Sequence, residues 1–237
     1  MAGNKLAEYS EKLNYIEFGS AYMSEKDKIS ITKLFPKTRL CMHYGLTEAS
    51  RSTFIEFNST KNYLNTIGKP TSNVEINIFD KNGNKLIHGE EGEICIKGEH
   101  VSKEFLNINK TDVFYGEYFR SGDIGLINNK GYIVLKGRSK DLINIGGKKL
   151  SPIEVEDKIK ELDSELEAVC IGIPDPQGVL GEVVKAFIIK GSSKHNFEEI
   201  DVFLKRNLEK YKVPLEYVWI NEIPKTSSGK IERYKLK

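Results

Sequence analysis

The residues of this chain that could do chemistry sit in short loops spread along its length. The last of these, Pro224-Lys225-Thr226-Ser227-Ser228-Gly229-Lys230-Ile231-Glu232-Arg233, is stopped by proline and hinged by glycine, so the backbone can bend sharply there and re-enter order. It holds out Lys230, whose ammonium is a mobile point charge suited to phosphate. Taken alone, the same residues also describe a frayed basic tail. Four earlier loops carry further polar groups: Tyr44-Gly45-Leu46-Thr47-Glu48, Gly92-Glu93-Ile94-Cys95-Ile96-Lys97-Gly98, Tyr118-Phe119-Arg120-Ser121-Gly122-Asp123 and Gly137-Arg138-Ser139-Lys140-Asp141. Three of them have a plainer reading too. Thr47 and Glu48 fit a helix N-cap, Asp123 an Asx turn after glycine, and Arg138 a surface ion pair.

The elements that must position these loops follow from pattern. Leu13 to Phe18 reads as a strand leading into Gly19-Ser20-Ala21. Ser24, with Asp27 three places on, then caps a helix carrying Ile29, Leu34 and Phe35. A second strand, Arg39 to His43, runs into Tyr44, and this β-α-β order predicts a piece of a parallel α/β sheet. From about Gly68 the pattern changes to short alternating strands. Val74, Ile76 and Ile78 precede the turn residues Asp80-Lys81-Asn82-Gly83, and Gly92 to Ile96, Tyr118 to Asp123 and Gly131 to Leu135 continue an antiparallel sheet or small barrel. Beyond Arg138, Leu142 to Ile145 with Gly146-Gly147 form a turn. Ser151-Pro152-Ile153-Glu154 then reads as a helix start in which serine caps and glutamate reaches back. Strands at 168–173, 183–189 and 215–220 surround a helix capped by Asn196 with Glu199, whose buried stripe is Phe197, Ile200, Phe203, Leu204 and Leu208.

Composition bounds the possibilities. The 237 residues are 39% hydrophobic and 10% aromatic, ordinary for a globular chain that buries a real core. A net charge of +2 argues against nucleic acid as a partner, so anion binding must be local. Cys41, Cys95 and Cys170 lie far apart with no Cys-x-x-Cys spacing, which fits free thiols in a reducing compartment. His43, His88, His100 and His195 share no ligand spacing with them, against a zinc site. Charge interrupts the N-terminal residues before any apolar leader, and no window reaches the ~20 apolar residues of a membrane span. The protein is therefore expected in the cytoplasm.

Together the five loops, in this order over nearly the whole chain, resemble the AMP-forming acyl-adenylate enzymes: acyl- and aryl-CoA ligases, peptide-synthetase adenylation domains and luciferases. The resemblance implies a fold of mixed α/β and α+β class in several domains. Residues 1–67 would be the distal part of a large α/β domain, 68–138 a small β-barrel subdomain, and 139–237 a mobile α+β C-terminal domain. It also implies ATP, AMP and Mg2+ as ligands, a small carboxylic acid as substrate, and CoA or a carrier protein's phosphopantetheine as acceptor. In such enzymes a carboxylate attacks the α-phosphate of ATP and pyrophosphate leaves, so charge gathering at one phosphorus must be met by placed cations and donors. By resemblance Lys230 contacts carboxylate and phosphate, Thr47 grips the α-phosphate, and Glu48 holds the magnesium. Tyr44, next to Gly45, offers its ring to adenine, with Gly19-Ser20-Ala21 on the other side of the base. Asp123 accepts from the ribose hydroxyls and Arg138 reaches ribose or phosphate. Lys140 is the hinge, and Gly146-Gly147-Lys148 the turn that approaches when a thiol reacts; its composition also suits a simple hairpin. His43 is a packing residue at the strand end.

Two departures qualify the resemblance. Val101-Ser102-Lys103-Glu104-Phe105 carries glutamate and phenylalanine where the family often has glycine and tyrosine, which reads as a local variation at a helix end. The family's Ser/Thr/Gly-rich loop for the β- and γ-phosphates has no counterpart among the 43 residues before Tyr44, and no Gly-x₄-Gly-Lys-Ser/Thr loop stands in for it. The chain is accordingly expected to be the C-terminal half of such an enzyme, inactive without the missing N-terminal half. A module that loads an acyl or amino acid onto a carrier protein, or a complementing nucleotide-binding subunit, are the alternatives.

Overall fold

A computed structural model describes residues 8–19 and 21–236. They form two compact units, divided between Leu135 and Lys136, each with its own apolar core.

The first unit opens with β1 (Tyr15–Phe18), followed by α1 (Glu25–Leu34) and β2 (Arg39–Tyr44). The Ser24 hydroxyl caps α1 by accepting from the Asp27 N–H at 3.2 Å, and β1 and β2 pair in parallel with Tyr15 opposite Arg39. The next strand was not foreseen. β3 (Thr53–Glu56) pairs antiparallel with β2, and β4 (Lys69–Pro70) antiparallel with β3, so the sheet is mixed. The reason is length: Tyr44 pairs with Thr53, and the residues between them are too few for the crossover of about a dozen that a parallel strand needs. Residues 45–52 contain no helix for Thr47 or Glu48 to cap.

The rest of the unit is an antiparallel half-barrel. β5 (Glu75–Phe79), β6 (Gly92–Lys97), β8 (Tyr118–Ile127) and β7 (Phe114–Tyr115) lie side by side, and β9 (Ile133–Arg138) also pairs with β8. After β5, the Asp80 carboxylate accepts from the Asn82 and Asn84 N–H groups, both at 2.8 Å, and Gly83 takes a φ of +80°. Residues 102–105 are not a helix end. Val101 bridges Ala49 and the chain then runs irregularly, with Phe105 stacked on Phe119 at a 5.6 Å centroid distance. Apolar packing against the half-barrel, rather than helix propensity, decides that stretch.

In the second unit, β10 (Ile143–Ile145) and β11 (Lys148–Leu150) form a hairpin. α2 (Pro152–Leu162) and α3 (Phe197–Asn207) accompany a sheet of β12 (Glu167–Pro174), β13 (Glu182–Ile189) and β14 (Glu216–Trp219). β12 is antiparallel and β14 parallel to β13. Val155 and Ile159 of α2 and Ile200 and Leu204 of α3 share a core with Val184, Ala186 and Ile188 of β13. The two helix starts differ. At Asn196 the full reciprocal box forms: its side chain accepts from the Glu199 N–H at 2.9 Å while Glu199 accepts from the Asn196 N–H at 3.0 Å. At Ser151 no side-chain cap forms, because its hydroxyl donates to the Lys136 carbonyl instead, and Glu154 pairs with Lys212 at 2.8 Å. The hydroxyl is thus engaged by a carbonyl outside the helix, and its oxygen accepts from no first-turn N–H. Among the described residues, no helix is long and apolar enough to cross a membrane.

Since the Asn196 box satisfies end groups that α3 leaves bare, Asn196→Ala is expected to cost about 0.5–2 kcal/mol. Denaturant unfolding of the chain measures this. Ser151→Ala tests the difference between the helix starts, since its effect would come from the Lys136 carbonyl rather than from a cap.

Candidate functional site

The first unit brings two of the loops into direct contact. Tyr44 Oη, at the end of β2, donates to Asp123 Oδ2 on β8 at 2.6 Å. Asp123 reaches this position through a bulge. Glu93 pairs with Ile124 and Cys95 with Arg120, so Ile94 alone of β6 lies opposite Ser121, Gly122 and Asp123. Gly122 takes a φ of +73° and donates its N–H to Glu93 Oε1 at 3.1 Å. Ser121 Oγ donates to the Ile94 carbonyl at 2.6 Å and accepts from the Asp123 N–H at 3.0 Å. The Ser-Gly-Asp sequence is thus a local device. Serine closes the backbone, glycine supplies the left-handed turn, and the aspartate is presented with only 5% of its surface exposed. The turn's side-chain oxygen is that of serine, not that of Asp123 as in the Asx alternative.

Beyond Tyr44 the chain folds into a tight loop. Leu46 and Ala49 exchange backbone hydrogen bonds of 3.0 and 3.2 Å, and the Ser102 N–H donates to the Glu48 carbonyl at 2.8 Å. Thr47 stands exposed at the tip, with Glu48 half-buried beside it. Gly45 is fixed by close approach: a β-carbon there would lie 2.5 Å from the Arg51 nitrogen and 2.7 Å from the Ala49 carbonyl oxygen. Gly19 is similar, since a β-carbon would meet the His43 ring at 2.4 Å. Ala21 is exposed; Ser20 lies outside the described residues. Sequence reasoning missed Glu17. Its carboxylate lies 2.9 Å from His43 Nδ1, too poorly aligned for a hydrogen bond, and 3.2 Å from Arg51, beside the imidazole that packs on Gly19. Arg51, at a φ of +55°, is the signal that could have pointed there only once the turn was known. Among the described residues no group of three or more His, Cys, Asp or Glu side chains could hold a metal. A lone Glu48 fits Mg2+ held mainly by phosphate oxygens and water, and would not make a protein-caged site.

The second unit carries the remaining residues. Arg138 ends β9, and Lys140 sits in the 3₁₀ turn Ser139–Asp141, both exposed. Gly146 and Gly147, with φ of +57° and +84°, make the two-residue connection of the β10–β11 hairpin. Gly146 also donates its N–H to the Leu180 carbonyl at 2.8 Å, and the Lys148 ammonium lies 4.5 Å from the Tyr211 ring centroid. The Lys230 stretch is not a frayed tail. Lys225 bridges Ile231, the Thr226 N–H donates to the Lys230 carbonyl at 2.8 Å, and Thr226 Oγ1 accepts from the Lys230 N–H at 3.1 Å. Gly229, at a φ of +83°, closes the hairpin. The lysine side chain is exposed on it.

With this geometry in place, relatives are decisive. The AMP-binding enzyme family matches residues 2–106, and the AMP-binding enzyme C-terminal domain matches residues 154–230. The chain belongs to the AMP-binding enzymes. It is 39% identical over 196 residues to an oxalate–CoA ligase of Saccharomyces cerevisiae, covering 80% of this chain and 36% of that one. It is 36% identical over 202 residues to a long-chain-fatty-acid–CoA ligase of Bacillus subtilis, covering 84% and 36%. The solved o-succinylbenzoate CoA synthetase of Bacillus subtilis, in complex with an acyl-adenylate intermediate, superimposes with a TM-score of 0.84 at 26% identity over 99% of this chain and 49% of that one. An amide bond synthetase of Marinactinospora thermotolerans, at 22% identity, shares the fold with a TM-score of 0.87, over 99% and 50%. This AMP-binding enzyme chain thus spans about a third of the length of the curated relatives it matches. It has the family's mixed α/β and α+β architecture and corresponds to a C-terminal portion of an AMP-forming enzyme.

A double-mutant cycle with Tyr44→Phe and Asp123→Asn tests the link between the two loops. Hydrogen bonds to charged groups contribute about 1.5–3 kcal/mol, so denaturant unfolding should return a coupling energy near ~1 kcal/mol or more. Additive effects would mean the two side chains do not interact in solution.

Proposed function

We propose that this chain carries the adenylate-handling and thiol-accepting residues of an ATP-dependent carboxylic acid:CoA ligase, which forms an acyl-adenylate and then a thioester. The observation that carries this reading is the 2.6 Å hydrogen bond between Tyr44 and Asp123, which supports one nucleoside pocket built from two distant loops. Tyr44 would present its ring to adenine against Gly19, Ser20 and Ala21. Asp123 would take the ribose hydroxyls and Arg138 ribose or phosphate. Thr47, at the tip of its Gly45-dependent turn, would hold the α-phosphate. Mg2+, held by Glu48, would neutralise phosphate charge. Lys230 would bridge the substrate carboxylate and the α-phosphate as pyrophosphate leaves. In the second half-reaction the CoA thiol attacks the acyl carbon and AMP departs, with the Gly146-Gly147-Lys148 turn brought up by rotation about Lys140.

The division into 1–67, 68–138 and 139–237 describes the parts this mechanism needs: the end of the large domain, the small barrel and the swinging C-terminal domain. ATP, a carboxylic acid and CoA are the substrates. The CoA ligases among the relatives favour free CoA over a carrier protein. The free, buried cysteines fit a cytoplasmic setting. Acyl-adenylate formation is assigned to the whole enzyme, because the loop for the β- and γ-phosphates is not part of this sequence.

Calorimetric titration with AMP tests the reading. The chain is expected to bind AMP, and Asp123→Asn to weaken binding by about 10-fold, the loss of a charge-assisted hydrogen bond. Lys230→Ala should alter AMP affinity less, since its work is in the adenylation step. A wild-type chain that ignores AMP would overturn the proposal. Carboxylate-dependent ATP–pyrophosphate exchange is expected to be undetectable with this chain; measurable exchange would show that no upstream phosphate loop is required.

A further inference from the structure

The Lys230 hairpin is tied down at one end by a guanidinium. Three residues after Lys230, Arg233 Nη2 donates to Glu156 Oε2 at 3.0 Å and its Nη1 donates to Glu156 Oε1, giving a two-pronged ion pair with a side chain of α2. Nη1 also donates to the Cys170 carbonyl on β12 at 2.9 Å. Glu156 Oε1 accepts in turn from the Cys170 N–H at 2.7 Å. The two side chains are only 14% and 11% exposed, so the pair is shielded from the water that makes surface ion pairs weak. Arg233 Nε lies 3.9 Å from Asp141 Oδ2, in the 3₁₀ turn that also carries Lys140. Within the hairpin, the Glu232 N–H donates to the Pro224 carbonyl at 2.9 Å, so the closed base of the loop and the anchored arginine are adjacent residues.

We propose that Arg233 is a positioning residue: through Glu156 and Asp141 it fixes the Lys230 hairpin to α2 and to the Lys140 turn, so that lysine and turn move as one body. This rests on the reading of Lys230 as a functional lysine for its meaning, though not for its test. An exposed lysine on a loose hairpin would sample many directions. A planar fork held by a carboxylate and a carbonyl restrains both distance and orientation, which a lysine at the same position could not do. Two residues separate the arginine from Lys230, close enough that the restraint passes directly to the hairpin. Asp141 would bring the turn into the same charged network.

Residue-resolved amide hydrogen exchange on the full chain tests this without nucleotide, so its failure is separate from a failure to bind AMP. In Arg233→Lys, which keeps the charge and loses the fork, the amides of Thr226, Gly229, Lys230 and Glu232 are expected to exchange at least ~10-fold faster. The amides of Val184, Ala186 and Ile188 in the core should stay within about twofold of wild type. Glu156→Gln, a milder change, carries the same expectation at about threefold, and keeps the test open should Arg233→Lys fail to fold. Asp141→Asn should also speed exchange in the hairpin. Unchanged hairpin exchange in the first two variants, or core amides that open to the same extent, would overturn the positioning role. An effect of Arg233 and Glu156 without any from Asp141 would overturn the link to the turn.

Discussion

A carboxylate taken almost wholly out of water must be met by donors, and the first unit is arranged around meeting the one at Asp123. Tyr44 supplies a donor from a different sheet, which sets how the end of β2 stands against β8. The β8 bulge exists for the same reason. Without the left-handed Gly122 and the Ser121 hydroxyl that closes the backbone around it, the regular pleat would carry residue 123 past the position that Tyr44 can reach. The position of Tyr44 in turn sets where the Gly45–Ala49 loop begins, and so where Thr47 and Glu48 project.

That loop illustrates how little of its shape comes from side-chain chemistry. Its return is fixed by backbone hydrogen bonds and by a glycine whose neighbours leave no space for a β-carbon. The polar side chains ride on it. Glu17 lies beside the His43 ring that packs on Gly19 and pairs with Arg51, so β1, the end of β2 and the far side of the loop come together. The second unit follows the same plan by other means. Its exposed lysine and its glycine turn are presented by short hairpins whose strands or flanking residues are anchored in a core of α2, α3 and the β12–β14 sheet.

Much of this was legible in the residues. Period-2 alternation marked β5, β6 and β9, and the Asn196/Glu199 spacing marked the start of α3, because each depends on neighbours a few positions away. The Ser151 start shows the limit of such reasoning. A serine with glutamate at the same spacing forms no box: the Ser151 hydroxyl donates to the Lys136 carbonyl, fifteen positions earlier, and Glu154 pairs with Lys212. β3 escaped notice because its direction depends on the length of the return rather than on any pattern within it. The expected helix end at 101–105 gave way to aromatic stacking between Phe105 and Phe119, a contact that sequence distance conceals.

The order and composition of the five loops pointed to the family, since glycine, serine and charged residues at fixed offsets reflect local backbone geometry. Tertiary structure alone decided which loops meet. The pairing of Tyr44 with Asp123, the reach of Glu17 to His43 and Arg51, and the fork of Arg233 on Glu156 all join residues far apart in sequence. Such contacts carry no periodic or compositional trace. They exist only where packing brings separate elements together, and that packing is a property of the folded chain as a whole.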